Sequence, residues 1–149
     1  MNLNGNFILG TSIKSIFTEL KTNYKYQDGF NSLLKCLTNT LKIQKRGVKN
    51  QIPKKRFEVL TFSVIPGLTR YWLNHMKSIK SFKNITFTIG DCSGGLKINK
   101  NNNSKIRCIP YLNLSHGVKL DTFINKVCDA EYVLICDDDI FFSDSSPIT

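Results

Sequence analysis

No apolar run in the 149 residues approaches the roughly 20 needed to cross a bilayer. The start of the chain, with Asn2, Asn4 and Asn6, lacks the sustained apolar stretch of a signal peptide. The expectation is therefore a cytoplasmic protein that folds in water. Paired cysteines are missing too: Cys36, Cys92, Cys108, Cys128 and Cys136 are odd in number and contain no Cys-x-x-Cys. This argues against a structural zinc site and leaves reduced, mostly buried thiols. Acid is scarce over most of the chain. Residues 1–107 carry 19 Lys/Arg and 4 Asp/Glu, whereas residues 108–149 carry 2 and 7, within a net charge of +10. Much of the excess of base reads as compositional drift alongside abundant Asn, as in the run Asn101-Asn102-Asn103; a functional alternative is a polyanionic partner or peripheral association with an anionic membrane surface. Nucleic acid is disfavoured, because no helix-turn-helix signature and no Gly-rich aromatic RNA-binding motif is present. No internal repeat is found.

What remains is enough for one folded domain: 41% hydrophobic and 11% aromatic residues can fill a real core. Ile13, Ile16, Phe17 and Leu20, and then Phe30, Leu33, Leu34, Leu37 and Leu41, recur at helical spacing. Two amphipathic helices are predicted in residues 1–43, a helical N-terminal extension. Residues 44–56 hold six basic residues, a Gly and a Pro, and read as a basic linker. From residue 57 the pattern alternates. Residues 57–64, 85–89, 106–109 and 132–136 are strand-like, while Trp72, Met76 and Ile79, and later Leu120, Phe123, Ile124 and Val127, mark two helices. That order predicts an α/β fold with a mainly parallel, Rossmann-like sheet over residues 57–149.

The most informative segment is residues 131–139, Glu-Tyr-Val-Leu-Ile-Cys-Asp-Asp-Asp, an apolar run that ends in three carboxylates. It predicts a buried parallel strand whose carboxyl end opens into a crevice, where open α/β sheets bind ligands. Three adjacent acids repel one another unless a cation or full solvation relieves them. On extended backbone Asp137 and Asp139 project to one side and Asp138 to the other. Two carboxylates so placed offer oxygen ligands to Mg²⁺ or Mn²⁺, with diphosphate oxygens completing the shell. A solvated acidic turn after an edge strand is the alternative. Asp91, followed by Cys92-Ser93-Gly94-Gly95 after the second strand, falls at the same edge of the sheet. There it suits contact with ribose hydroxyls or a base N–H, and as a bare motif it also reads as a plain turn.

Together these pieces resemble the nucleotide-sugar-binding half of family 2 glycosyltransferases of the glycosyltransferase-A fold. The matching parts run from 57 to 142: a first strand, an Asp-x-Ser-Gly turn after the second, a helix opening at Ser115-His116-Gly117-Val118-Lys119, and apolar residues before Asp-x-Asp. The resemblance implies a nucleotide-diphospho-sugar donor and a Mn²⁺ or Mg²⁺ cofactor. Asp139 is implied as the metal ligand, and Asp137 as ligand to the metal or the ribose. Asp91 is implied at the nucleoside, and the backbone from Thr61 to Pro66 as the floor of the base pocket. His116 and Lys119 fall within reach of phosphate or sugar; both also read as plain helix-start residues. The family's acceptor site and catalytic base lie on a following half, and no acid here is assigned as the base. Two other readings stay open. One is a basic nucleic-acid-binding domain. The other is a haloacid dehalogenase-type phosphatase, whose Asp-x-Asp normally lies near the N-terminus and is followed by a small or hydroxyl residue, unlike Ile140-Phe141.

Overall fold

Among the described residues four strands carry the structure: β1 (Lys55–Ser63), β2 (Thr86–Asp91), β3 (Ile106–Pro110) and β4 (Ala130–Ile135). They form one sheet in the order β3-β2-β1-β4, with every pair parallel. A computed structural model describes residues 29–50, 52–98 and 105–143. The first predicted helix, around Ile13–Leu20, lies outside the described residues. The second is α1 (Phe30–Gln44); the others are α2 (Pro66–Ser78), followed by a 3₁₀ turn at Lys80–Phe82, and α3 (His116–Lys126). The expected α/β class with a parallel, Rossmann-like sheet is thus observed. Among the described residues no helix is long and apolar enough to cross a membrane.

The helices divide between the two faces of the sheet. On one face Leu33, Cys36 and Ile43 of α1 and Phe123 of α3 pack with Leu60, Tyr111 and Leu112. On the other, Trp72, Leu73 and Met76 of α2 join Val59, Phe87 and Ile89. The central strand β1 is buried on both sides, so Val59 and Leu60 fill opposite cores. Each fully buried side chain of this size contributes about 1.5–3 kcal/mol. Gly90 is required where two layers meet: a Cβ there would lie 2.5 Å from Cδ1 of Phe62 and 3.0 Å from Cζ of Phe123. The bare backbone lets Phe62 stack edge-on against Phe123 at 5.1 Å.

Two differences from the sequence reading stand out. Among the described residues β4 is an edge strand, paired with β1 alone, and its side chains are half-buried or exposed. The expectation of a buried strand is corrected, since an apolar run has the same pattern with one neighbour or two. In the basic stretch after α1, Lys49 is tied to the C-terminal end of α3, its N–H donating to Asn125 O at 3.0 Å and its Nζ to Val127 O at 2.9 Å.

Candidate functional site

The strand order fixes where ligands are favoured. β1 leads through α2 to β2 on one side, and β3 leads through α3 to β4 on the other, so the winding reverses between β1 and β4. The crevice outside the carboxyl ends of such a pair is the usual binding place of open α/β sheets. Three things converge there: the end of β1 at Ser63, the start of α2 at Pro66, and the acids that follow β4. α2 opens on Pro66 with Ile65 as its N-cap and no side-chain cap, so the first N–H groups of the helix are left for solvent or a ligand.

Asp137 and Asp139 are exposed and Asp138 is half-buried. The backbone here is not simply extended: Ile140 N–H donates to Asp137 O at 3.2 Å, closing a turn over 137–140. Within this turn Asp138 is the acid drawn inward, while Asp137 and Asp139 face solvent. Thr69 Oγ1 lies 2.5 Å from Asp138 Oδ2 and 2.5 Å from Ser63 Oγ. A hydroxyl has one proton to give, so Ser63 donates to Thr69 and Thr69 to Asp138. Burial pushes the Asp138 carboxyl above the usual aspartate range, the Thr69 hydrogen bond opposes this, and Asp139 and Asp137 add to the rise. Just before the triplet, burial pushes the Cys136 thiol up to about 11, with Asp137 and Asp139 reinforcing it. It stays protonated and inert at neutral pH.

The segment beyond the acids is fastened to α2. Trp72 Nε1 donates to Ile140 O at 2.8 Å, and His75 Nε2 lies 2.9 Å from Phe142 O. Phe141 packs between Tyr71 and His75, at 5.6 and 5.1 Å between ring centres. These ties set the path of the acidic turn from outside the sheet.

The other expected site residues, His116 apart, take less open positions. Asp91 is buried, and its Oδ1 accepts from Ser93 N–H, Ser93 Oγ and Gly94 N–H at 3.1, 2.6 and 3.0 Å, while Oδ2 accepts from Leu96 N–H at 3.0 Å. The carboxylate builds its own turn. Gly94, at φ +68°, is needed in that turn, since a Cβ would sit 2.8 Å from Ser32 O of α1. Lys119 is buried on α3, its Nζ donating to Asn113 Oδ1 at 2.7 Å and lying 4.9 Å from the centre of the Phe62 ring. To meet a phosphate it must leave both. His116 is exposed at the start of α3, edge-on to Phe62 at 6.1 Å. Thr61 is enclosed within the sheet, its hydroxyl buried without a hydrogen-bond partner among the described residues. Pro66 is half-buried at the rim.

Sequence reasoning overlooked Ser63 and Thr69, which hold Asp138, although a hydroxyl at a strand end and another in the first turn of the next helix is a legible signal. It also overlooked Glu58. This acid is wholly buried in β1 and accepts from Arg107 Nη2 at 2.7 Å, from Thr88 Oγ1 and from Asp129 N–H at 2.9 Å. The group staples three strands near their amino ends, away from the crevice. A cleft of about 420 Å³ lies beside β3, lined by Lys35, Asp91, Leu96, Lys97, Ile106 and Cys108; Asp91 is thus in its wall, and the acid triplet is not.

Among the described residues no three His, Cys, Asp or Glu side chains gather into a ready metal cage. Mg²⁺ and Mn²⁺ commonly use one or two carboxylates and take their other oxygens from water and phosphate, and the exposed Asp137 and Asp139 fit that mode. No protein-family model matches the chain, and neither a curated protein nor a solved structure matches it significantly.

Proposed function

We propose that this chain binds a nucleoside diphosphate-sugar across the crevice between β1 and β4, as the donor-binding part of a sugar-transfer enzyme. The observation that carries this reading is the placing of Asp137 and Asp139, exposed at the point where the sheet reverses, beside the uncapped start of α2. Asp138 is committed to Thr69, so its neighbours are the carboxylates left for a cation. When bound, Mg²⁺ or Mn²⁺ supplies positive charge against the charge that grows on the leaving diphosphate. The chain's own residues orient and hold. Asp137 and Asp139 supply oxygens to the cation. The free N–H groups at the start of α2 favour an anion electrostatically, and His116 stands at the opening of α3. The Asp91 turn shapes the neighbouring wall through its backbone, since its carboxylate is already satisfied. No side chain is assigned as the base that would deprotonate an acceptor.

The test is the thermal midpoint of the protein with Mn²⁺ and each of a panel of nucleoside diphosphates, beside the Asp137→Asn/Asp139→Asn double variant. A ligand at 100 times its dissociation constant adds about 2.7 kcal/mol to stability. A metal-dependent rise with one nucleotide, lost in the variant, is the expected result. No rise with any nucleotide overturns the reading.

A further inference from the structure

The outer face of α1 combines exposed apolar side chains with an unbroken run of base. Its inner side buries Leu33, Cys36, Thr40 and Ile43, yet Phe30, Leu34 and Leu41 are 65%, 48% and 42% exposed. At about 100° per residue these three fall within about 40° of one another, and Lys45, Lys42 and Lys35 follow on the side turned away from the core. Val48 and Ile52 continue the exposed apolar surface past the helix. Charge adds an independent observation: residues 29–57 hold eight Lys/Arg and no Asp or Glu. Lys49 is occupied at the end of α3, but Lys35, Lys42, Lys45 and Arg46 are exposed.

We propose that this face docks on an anionic lipid surface, with Phe30, Leu34 and Leu41 entering the boundary between headgroups and acyl chains and Lys35, Lys42 and Lys45 meeting the anionic headgroups. An apolar band bordered by lysines is the composition of helices that lie in the plane of a membrane interface, and an uninterrupted basic stretch complements the negative potential of such a surface. A nucleic acid satisfies the lysines but leaves the leucines in water, which decides between the two polyanions. Docking needs no change in the fold, since every residue involved is already outside. The first turn of α1 abuts the Asp91 turn, Ser32 O lying where a Cβ on Gly94 would clash. A docked helix therefore holds the carboxyl edge of the sheet near the lipid. The inference is independent of the donor-site reading.

Co-sedimentation of the full chain with vesicles of phosphatidylcholine, with and without phosphatidylserine, tests it. Binding is expected only with phosphatidylserine and is expected to weaken as salt rises. Each of Lys35→Gln, Lys42→Gln and Lys45→Gln should lower partitioning about fivefold, and Leu34→Gln/Leu41→Gln about tenfold or more at an unchanged thermal midpoint. Three results overturn the proposal. One is absence of vesicle binding. Another is vesicle binding that the leucine variant leaves intact. The third is a dimer, or a covering by residues 1–28, that the leucine variant disrupts while vesicles have no effect. Retention on single-stranded nucleic acid without vesicle binding would assign the basic stretch to that partner instead.

Discussion

Two sets of carboxylates in this molecule are treated in opposite ways. Glu58 and Asp91 are sealed in the sheet and its first turn, and each accepts at least three internal hydrogen bonds. Asp137 and Asp139 stand in water beside a neighbour that is pulled inward. A buried carboxylate must be satisfied by the protein or it unfolds it. An exposed one costs little and keeps its oxygens for something else. Burial with full satisfaction marks acids that hold the fold, whereas exposure leaves the oxygens of Asp137 and Asp139 to solvent.

Substitution should break the contrast in order of satisfaction. Glu58→Ala leaves the Arg107 guanidinium without its carboxylate and is expected to cost about 3 kcal/mol, or about 10 °C in the thermal midpoint; an unchanged midpoint would show that the strand staple contributes nothing. Asp91→Asn offers one acceptor oxygen where the turn uses two, and aims an amide N–H₂ at N–H donors. About 2 kcal/mol should be lost in urea unfolding, with faster amide exchange at Leu96. Trp72→Phe removes the donor to Ile140 O and should cost about 1 kcal/mol, visible as faster amide exchange across 140–142. By contrast, Asp137→Asn/Asp139→Asn should move stability by less than about 0.5 kcal/mol while abolishing any metal-dependent nucleotide response.

The buried thiols give the weakest effect at neutral pH. Burial pushes Cys36 and Cys128 up to about 12 from an ordinary 9.0. Their folded values lie above the unfolded one, so their contribution to stability is fully present below about pH 9 and is lost as pH rises toward 12. Alkylation followed by mass spectrometry should therefore modify half-buried Cys108 first and reach Cys36 and Cys128 only on unfolding.

The fold was legible because its signals are local. Apolar spacing located α1, α2 and α3, and the strand-like runs fell within a few residues of β1 to β4; α2, marked in the sequence by Trp72 and Met76, begins on Pro66, whose fixed φ suits a first helical turn. The edge position of β4 was not legible, since pairing partners leave no trace in a six-residue run. At the candidate site the exposed acids were readable from their crowding alone. The inward turn of Asp138 was not, because it depends on Thr69, which is 69 residues away in sequence. Asp91 shows the reverse limit. Its position at the strand end was expected, but whether its oxygens faced outward or were consumed by the next five residues depended on backbone geometry that sequence does not display.

Trp72 is the chain's single tryptophan. It is fully enclosed, and its indole N–H is bonded to the carbonyl one residue past the acid triplet. The protein thus carries an intrinsic optical reporter wired to the turn that holds Asp137 and Asp139. Any cation or ligand that shifts that turn alters the polarity and hydrogen bonding around the indole, so unlabelled protein should signal occupancy through the wavelength and intensity of its emission.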